Sequence, residues 1–253
     1  MYNIQGKTAI VTGSASGLGA AIVEKLSDEK VNVVVSSSHK HDDTDDKLKT
    51  LEDKGVKAIY IPCDVSDEKQ IEHLFNETLK QMGQVDFIVN NAAIWLTSYI
   101  KDMTIQDFKK TLDVNLVGPF VLSKLFLNYC IENNRKGKIV NLTSQAAFHG
   151  STSGHAHYAA SKAGLVGFTV SMAREAAPYG INVNAIAPGI METQLVSAIV
   201  DDPERRKKYE ERIPLGRIAT VEEIARIALF LLSPESDYMT GATLDATGGM
   251  LMR

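Results

Sequence analysis

The chain has 253 residues, 44% hydrophobic and 23% charged, an ordinary globular composition that excludes disorder, collagen and coiled coil as the main class. Lys plus Arg number 27 against 31 for Asp plus Glu, and the net charge of −4 argues against a nucleic-acid binder, which carries a basic excess. A chain of this length buries roughly 70–75% of its unfolded surface, so it needs no metal or disulfide staple.

In chain order, short apolar runs alternate with helical patterns. Lys7–Thr12, Val31–Ser36, Lys57–Pro62, Val85–Asn90, Lys138–Thr143, Asn182–Ala187 and Ala242–Ala246 read as strands. Gly17–Glu29, Asp45–Lys54, Asp67–Met82, Thr104–Asn133, Tyr158–Pro178 and Val221–Leu232 read as helices. Continuous β-branched runs mean strands buried on both faces, the mark of a parallel sheet. Alternation over the whole length predicts a single doubly wound, Rossmann-type α/β domain over residues 1–253, with a central parallel sheet of about seven strands. No repeat or linker divides the chain. The irregular stretch from Ile190 to Gly216 includes a helical piece with Leu195 and Ile199, then a charged run; Arg205–Lys208 reads as a solvated face. A long connection after a strand end is where a substrate lid sits, and 190–216 is expected to be one.

Several weaker signals have plain readings. Cys63 and Cys130 form neither a zinc pattern nor a disulfide framework and read as small buried hydrophobes. The pairs His39/His41 and His155/His157 lack a third ligand at a recognisable spacing, so no metal is expected and surface or pocket-wall positions are. The acidic run Asp42–Asp46 fits no calcium loop and suits the positive end of the following helix. The N-terminus has no apolar segment of the signal-peptide kind. The greasiest stretch, Leu116–Ile131, contains Lys124 and Pro119 and is too short and polar to span a bilayer. The expected location is cytoplasmic, with no membrane partner.

Two clusters carry chemistry. The first strand runs into Thr12-Gly13-Ser14-Ala15-Ser16-Gly17-Leu18-Gly19 and straight into a helix. Glycines at such a bend let the backbone turn tightly and approach a pyrophosphate seated on the helix N-terminus. The second cluster begins with Ser144 at the end of the fifth strand, followed by Tyr158 and Lys162. Tyr and Lys at i, i+4 project from one helix face. An ammonium beside a phenol favours the phenolate, so Tyr158 is expected to have a lowered pKa and to serve as general acid or base.

Together these residues resemble the short-chain dehydrogenase/reductase family over essentially the whole chain. Asp64 in Cys63-Asp64-Val65 matches the family's adenine-contacting acid. Asn90-Asn91-Ala92-Ala93 matches its Asn-Asn-Ala-Gly turn, with Ala93 for the usual glycine. Asn115 matches its helix asparagine, and Pro188-Gly189-Ile190 with Thr193 matches the segment that holds the nicotinamide carboxamide. The Ser144-to-Tyr158 gap is 14, one more than is common, and the extra residue falls in Phe148–His157, a loop expected to border the substrate. Trp95 is a candidate apolar wall of the same pocket.

The resemblance implies hydride transfer between a nicotinamide cofactor and a carbonyl/secondary-alcohol pair. Tyr158 exchanges the proton, Lys162 tunes it and binds the nicotinamide ribose, Ser144 polarises the carbonyl, and Asn115 anchors a proton-supply water. It further implies that Gly13, Ser14, Ser16, Gly17, Leu18, Gly19, Asp64, Val65, Asn91, Ala92, Pro188, Gly189, Ile190 and Thr193 bind cofactor. Beyond the second strand, Ser37-Ser38-His39-Lys40 stands where NAD-specific members carry an acid. Hydroxyls and positive charge there favour NADP(H) over NAD(H). Against this, the glycine turn lacks a basic residue, and Asp42 and Asp43 oppose added phosphate charge.

Tyr158–Pro188 and the tail Ile213–Met250 resemble 3-oxoacyl-[acyl-carrier-protein] reductases, with sugar or polyol dehydrogenases as the alternative. Arg135 takes one position of a carrier-docking arginine; Tyr179 stands where a second often lies. A catalytically silent nucleotide-binding scaffold would show a broken tetrad, whereas Asn115, Ser144, Tyr158 and Lys162 are all present. The resemblance implies a homotetramer packed through the Thr104–Asn133 and Tyr158–Pro178 helices.

Overall fold

In the computed structural model, residues 2–151, 154–193 and 201–253 are described. Seven strands form one parallel sheet in the order β3-β2-β1-β4-β5-β6-β7. They are β1 Thr8–Thr12, β2 Asn32–Ser36, β3 Ala58–Tyr60, β4 Phe87–Asn90, β5 Gly137–Leu142, β6 Ile181–Pro188 and β7 Thr243–Ala246. The first six lie in the order of a doubly wound fold, with the direction of winding reversing between β1 and β4.

Successive side chains of a strand face opposite ways, so one apolar run feeds two cores. Ala9, Val11, Val33 and Val35 pack on one face with Leu18, Ile22 and Leu26 of α1 (Gly17–Asp28). Ile10, Val34 and Ile88 pack on the other, with Ile71 and Leu74 of α3 (Glu68–Met82). The remaining helices are α2 Thr44–Glu52, α4 Ile105–Leu112, α5 Gly118–Glu132, α6 Ala146–His149, α7 Ala156–Ala176, α8 Pro203–Glu210 and α9 Val221–Leu232. Local chemistry sets several ends. Asp67 caps α3 by accepting from the Lys69 and Gln70 amides, Gly83 ends it at φ 80°, and Thr220 with Glu223 forms a capping box on α9.

The expected helix Thr104–Asn133 is instead interrupted. Between α4 and α5 lies a π-helical turn, Asp113–Val117, which carries Asn115. One extra residue per turn re-aims the side chains that follow, and such turns recur at functional sites. The run Ile105–Glu132 is long and apolar enough to cross a bilayer by composition. It lies against the sheet, however, with Val121, Leu122, Phe126 and Cys130 in the core. Both cysteines are buried and free, and burial pushes each thiol up to about 12.

Candidate active site

The glycine turn after β1 and the asparagine turn after β4 face each other where the winding reverses, at the carboxyl ends of the strands. They are tied together. The Thr12 hydroxyl accepts from the amides of Asn91 and Ala92, each at 3.1 Å. The Asn91 side-chain amide donates to the carbonyls of Thr12 and Gly13, at 2.9 and 3.0 Å. Asn91 therefore shapes the turn from behind. Space there admits only glycine. A Cβ on Gly19 would lie 2.4 Å from the Gly13 carbonyl oxygen, and one on Gly13, where φ is +63°, would lie 2.8 Å from the Ala92 Cα. Gly17 is different: its φ is +56° and the Thr193 methyl, 3.9 Å from an added Cβ, is the nearest group. Thr193, on the arm after β6, thus reaches the glycine turn.

Ser144 follows β5, and the Gln145 amide donates to the Pro188 carbonyl at 3.1 Å, joining this loop to the end of β6. The Ser144 hydroxyl accepts from the Ala146 amide at 3.1 Å and stands near enough to the Tyr158 phenol to lower its pKa. One turn along α7, the Lys162 ammonium is buried and donates to the Leu142 carbonyl at 2.7 Å. It lies 5.7 Å from the centre of the Tyr158 ring. Asn115, fully buried, accepts from the Ile94 amide at 2.9 Å and donates to the Ile94 carbonyl and to the Ser161 hydroxyl. Ser161 donates in turn to the Tyr158 carbonyl. The structure thus brings Asn115, Ser144, Tyr158 and Lys162 into one cluster, with Asn115 reaching the first turn of α7 through Ser161.

The electrostatics differ from expectation. Burial raises the Tyr158 pKa, and the neighbouring Ser144 pulls it back only in part. Burial also lowers Lys162 to about 7. The ammonium spends its hydrogen bond on Leu142, so desolvation outweighs any stabilisation of the phenolate.

A second pair of loops walls the cluster. Trp95 stacks on His155 with ring centres 4.4 Å apart and planes at 14°. The Thr97 hydroxyl lies 3.0 Å from His155 Nε2. The Ser98 amide donates to the Gly154 carbonyl, clipping the arm after β4 to the loop between Ser144 and Tyr158. Thr152 and Ser153 of that loop lie outside the described residues.

At the end of β2, the Ser37 hydroxyl donates to the His39 carbonyl at 2.6 Å and lies 3.2 Å from the Tyr60 hydroxyl. Ser38 contacts His39 Nδ1, and Lys40 pairs with Asp45 at 2.7 Å. Asp64 binds the Ser66 amide and hydroxyl. Arg135 is not at the mouth of this chain's cluster. It precedes β5, at the amino end of the sheet, and pairs with the buried Asp86 at 3.0 Å. Sequence reasoning missed Thr12, Ser161 and Gln145. Each acts through a contact distant in sequence or at a position whose residue type is unremarkable.

The chain matches the family model described as Enoyl-(Acyl carrier protein) reductase over residues 13–251. It is 36% identical over 252 residues to 3-oxoacyl-[acyl-carrier-protein] reductase FabG of Aquifex aeolicus, covering 98% of each chain. It is 37% identical over 256 residues to glucose 1-dehydrogenase 2 of Bacillus subtilis, covering 100% of this chain and 98% of the other. Among solved structures, a proposed 2-deoxy-D-gluconate 3-dehydrogenase from Agrobacterium tumefaciens with bound NADP superposes at a TM-score of 0.91. That protein is 35% identical, and the match covers 100% of this chain and 99% of the other.

The chain belongs to the short-chain dehydrogenase/reductase family. It is an NAD(P)-dependent oxidoreductase that interconverts a carbonyl and a secondary alcohol, as that membership and the named relatives indicate. Its residues fit the family's cofactor. Gly13 and Gly19 leave no room for a Cβ, Gly17 presents bare backbone, and the Ser16 side chain makes no capping bond to α1. The amides of the first turn are thereby left for a pyrophosphate.

Proposed function

We propose that Tyr158 exchanges the proton with the substrate oxygen, that Ser144 holds and polarises that oxygen, and that Lys162 and Asn115 support them. The observation that carries this reading is the buried Lys162 amine, held by the Leu142 carbonyl 5.7 Å from the centre of the Tyr158 ring, with Ser144 near enough to the phenol to act on its pKa. When bound, the nicotinamide supplies or accepts the hydride. A protonated phenol can donate to a carbonyl oxygen in reduction, and its phenolate can take the proton of an alcohol in oxidation. The Asn115 and Ser161 hydrogen bonds fix the first turn of α7, which keeps the phenol in reach of Ser144.

The substrate reading is a 3-oxoacyl thioester, supported by likeness to the Aquifex reductase. A sugar or polyol substrate is the second reading. It is supported by likeness to the Bacillus glucose dehydrogenase and to the Agrobacterium deoxygluconate dehydrogenase. The position of Arg135 away from the cluster also favours it.

NADP(H) is the proposed cofactor over NAD(H), on the hydroxyls and Lys40 beyond β2 and on likeness to the NADP-bound relative. Segment 190–216 is the proposed substrate lid; residues 194–200 of it lie outside the described residues. The protein is proposed to be cytoplasmic and homotetrameric.

The test is Tyr158→Phe, assayed on acetoacetyl thioesters, diketones and polyols with both cofactors. Turnover should fall about 10²- to 10⁴-fold, the usual worth of a positioned acid or base, with cofactor affinity kept. More than a tenth of wild-type turnover, with chemistry limiting, would overturn the assignment. The substrate class with the highest wild-type kcat/KM decides between the two readings.

A further inference from the structure

The glycine turn carries no cation of its own, since Ala15 and Ser16 occupy the places where one would stand. The fold brings one in from elsewhere. Ser14 binds the turn to the end of β2: its amide donates to the Ser36 carbonyl at 2.9 Å, and its hydroxyl accepts from the Ser36 amide at 3.0 Å. Ala15 therefore lies beside the point where β2 gives way to Ser37. In a doubly wound fold this corner receives the adenosine ribose. Lys47, on α2, reaches into it from the far side. Its ammonium donates to the Ala15 carbonyl at 2.9 Å and pairs with Asp43 at 2.8 Å. Lys47, Asp43, Ser14, Ala15 and Gly17 border one groove of about 430 Å³ between α1 and α2.

Lys40 is placed differently. It pairs with Asp45 and lies 6.0 Å over the Tyr60 ring. Of the two lysines, Lys47 is the one fastened to the glycine turn.

We propose that Lys47 selects the 2′-phosphate of NADP(H), giving up Asp43 for the phosphate when the cofactor binds. The proposal rests on the dinucleotide reading of the glycine turn. The Ala15 carbonyl holds the ammonium in place, so little side-chain freedom is lost on binding. A phosphate offers more acceptor oxygens than the carboxylate it displaces. Asp43 is the competitor: it neutralises Lys47 when no phosphate is present and repels an arriving one. Its presence limits the discrimination between the two cofactors.

The experiment is titration of the full-length protein with NADPH and with NADH, without substrate, by calorimetry or reduced-nicotinamide fluorescence. Lys47→Met should weaken NADPH binding about 10-fold or more and leave NADH within about 2-fold, the scale of one charge-assisted hydrogen bond. Lys47→Arg should retain most of the preference. Asp43→Asn, which keeps the helix and removes the competing charge, should tighten NADPH binding severalfold with NADH unchanged. Equal weakening of both cofactors by Lys47→Met would reduce the lysine to a brace for the turn and overturn the proposal. So would an unchanged NADPH affinity, or a change for Asp43→Asn that is the same for both cofactors. If the wild-type protein bound neither dinucleotide, the reading of the turn itself would fall, a result distinct from lost discrimination.

Discussion

At the residue scale, Lys162 illustrates how a site departs from what stability alone would choose. Burial holds its folded-state pKa near 7, against an ordinary 10.5. Between those values the unfolded chain binds the proton that the folded chain has released, so folding stability rises with pH across that window. Below pH 7 the folded protein carries a buried charge, and the cost is fully present there; above 10.5 it is gone. Lys162→Met removes the titrating group and keeps most of the volume. The variant should be catalytically crippled. Without cofactor, its melting temperature relative to wild type should be most favourable at pH 6 and should lose ground steadily towards pH 10. Thermal denaturation across that range checks it; a difference independent of pH would show that the lysine is not held in the state its burial implies. The phenol teaches a related lesson. The i, i+4 spacing correctly places Tyr158 and Lys162 together, but spacing carries no information on solvent, and burial reverses the expected direction of the Tyr158 shift.

At the element scale, strands were legible to within a residue or two because a doubly buried strand must be a continuous apolar run. Val31–Ser36 was expected and Asn32–Ser36 observed. The π-turn at Asp113–Val117 was not legible: apolar residues continue through it, and only the backbone hydrogen bonds reveal the extra residue. Helix α8 was hidden for the opposite reason, because it buries none of its residues and has no apolar stripe to read. Its neighbours suggest how the proposed lid is fastened. Arg206 of α8 pairs with Glu192, just before Thr193, and with Glu210. Ile213 is buried against Gly248, and the Leu215 amide donates to the Gly248 carbonyl, pinning the far end to the tail. Solvent screens ion pairs of this kind, so the fastening at Glu192 is weak enough to open and reclose. Amide hydrogen exchange in 190–216 should therefore slow markedly when cofactor and substrate bind together, more than in α9. Strong and equal protection with and without ligands would make the segment a rigid insert.

At the scale of the whole molecule, the large apolar side chains left exposed among the described residues include two groups that bear on assembly. One lies on the helices, where Val117 and Phe120 are nearly half exposed and Phe120 meets Phe168 edge to face at 5.9 Å. The other lies toward the tail, where Leu215 is 70% and Met252 77% exposed, near the edge strand β7. Large side chains left in water along a helix pair are a poor use of a core-forming sequence unless another surface covers them. A two-fold contact covers a patch with its own copy, and two such contacts on separate faces build a tetramer of dihedral symmetry. That is the assembly proposed here, with the α5 and α7 face as one contact and the β7 edge as the other. Phe120→Glu places a charge in the middle of the first contact, on a side chain already 46% exposed within the protomer, so the protomer fold should survive. Light scattering during size exclusion should give a tetramer for the wild-type chain and a dimer for the variant, because the β7 contact is untouched. A wild-type chain that elutes as a monomer, or a variant that remains tetrameric, would remove this face from the assembly.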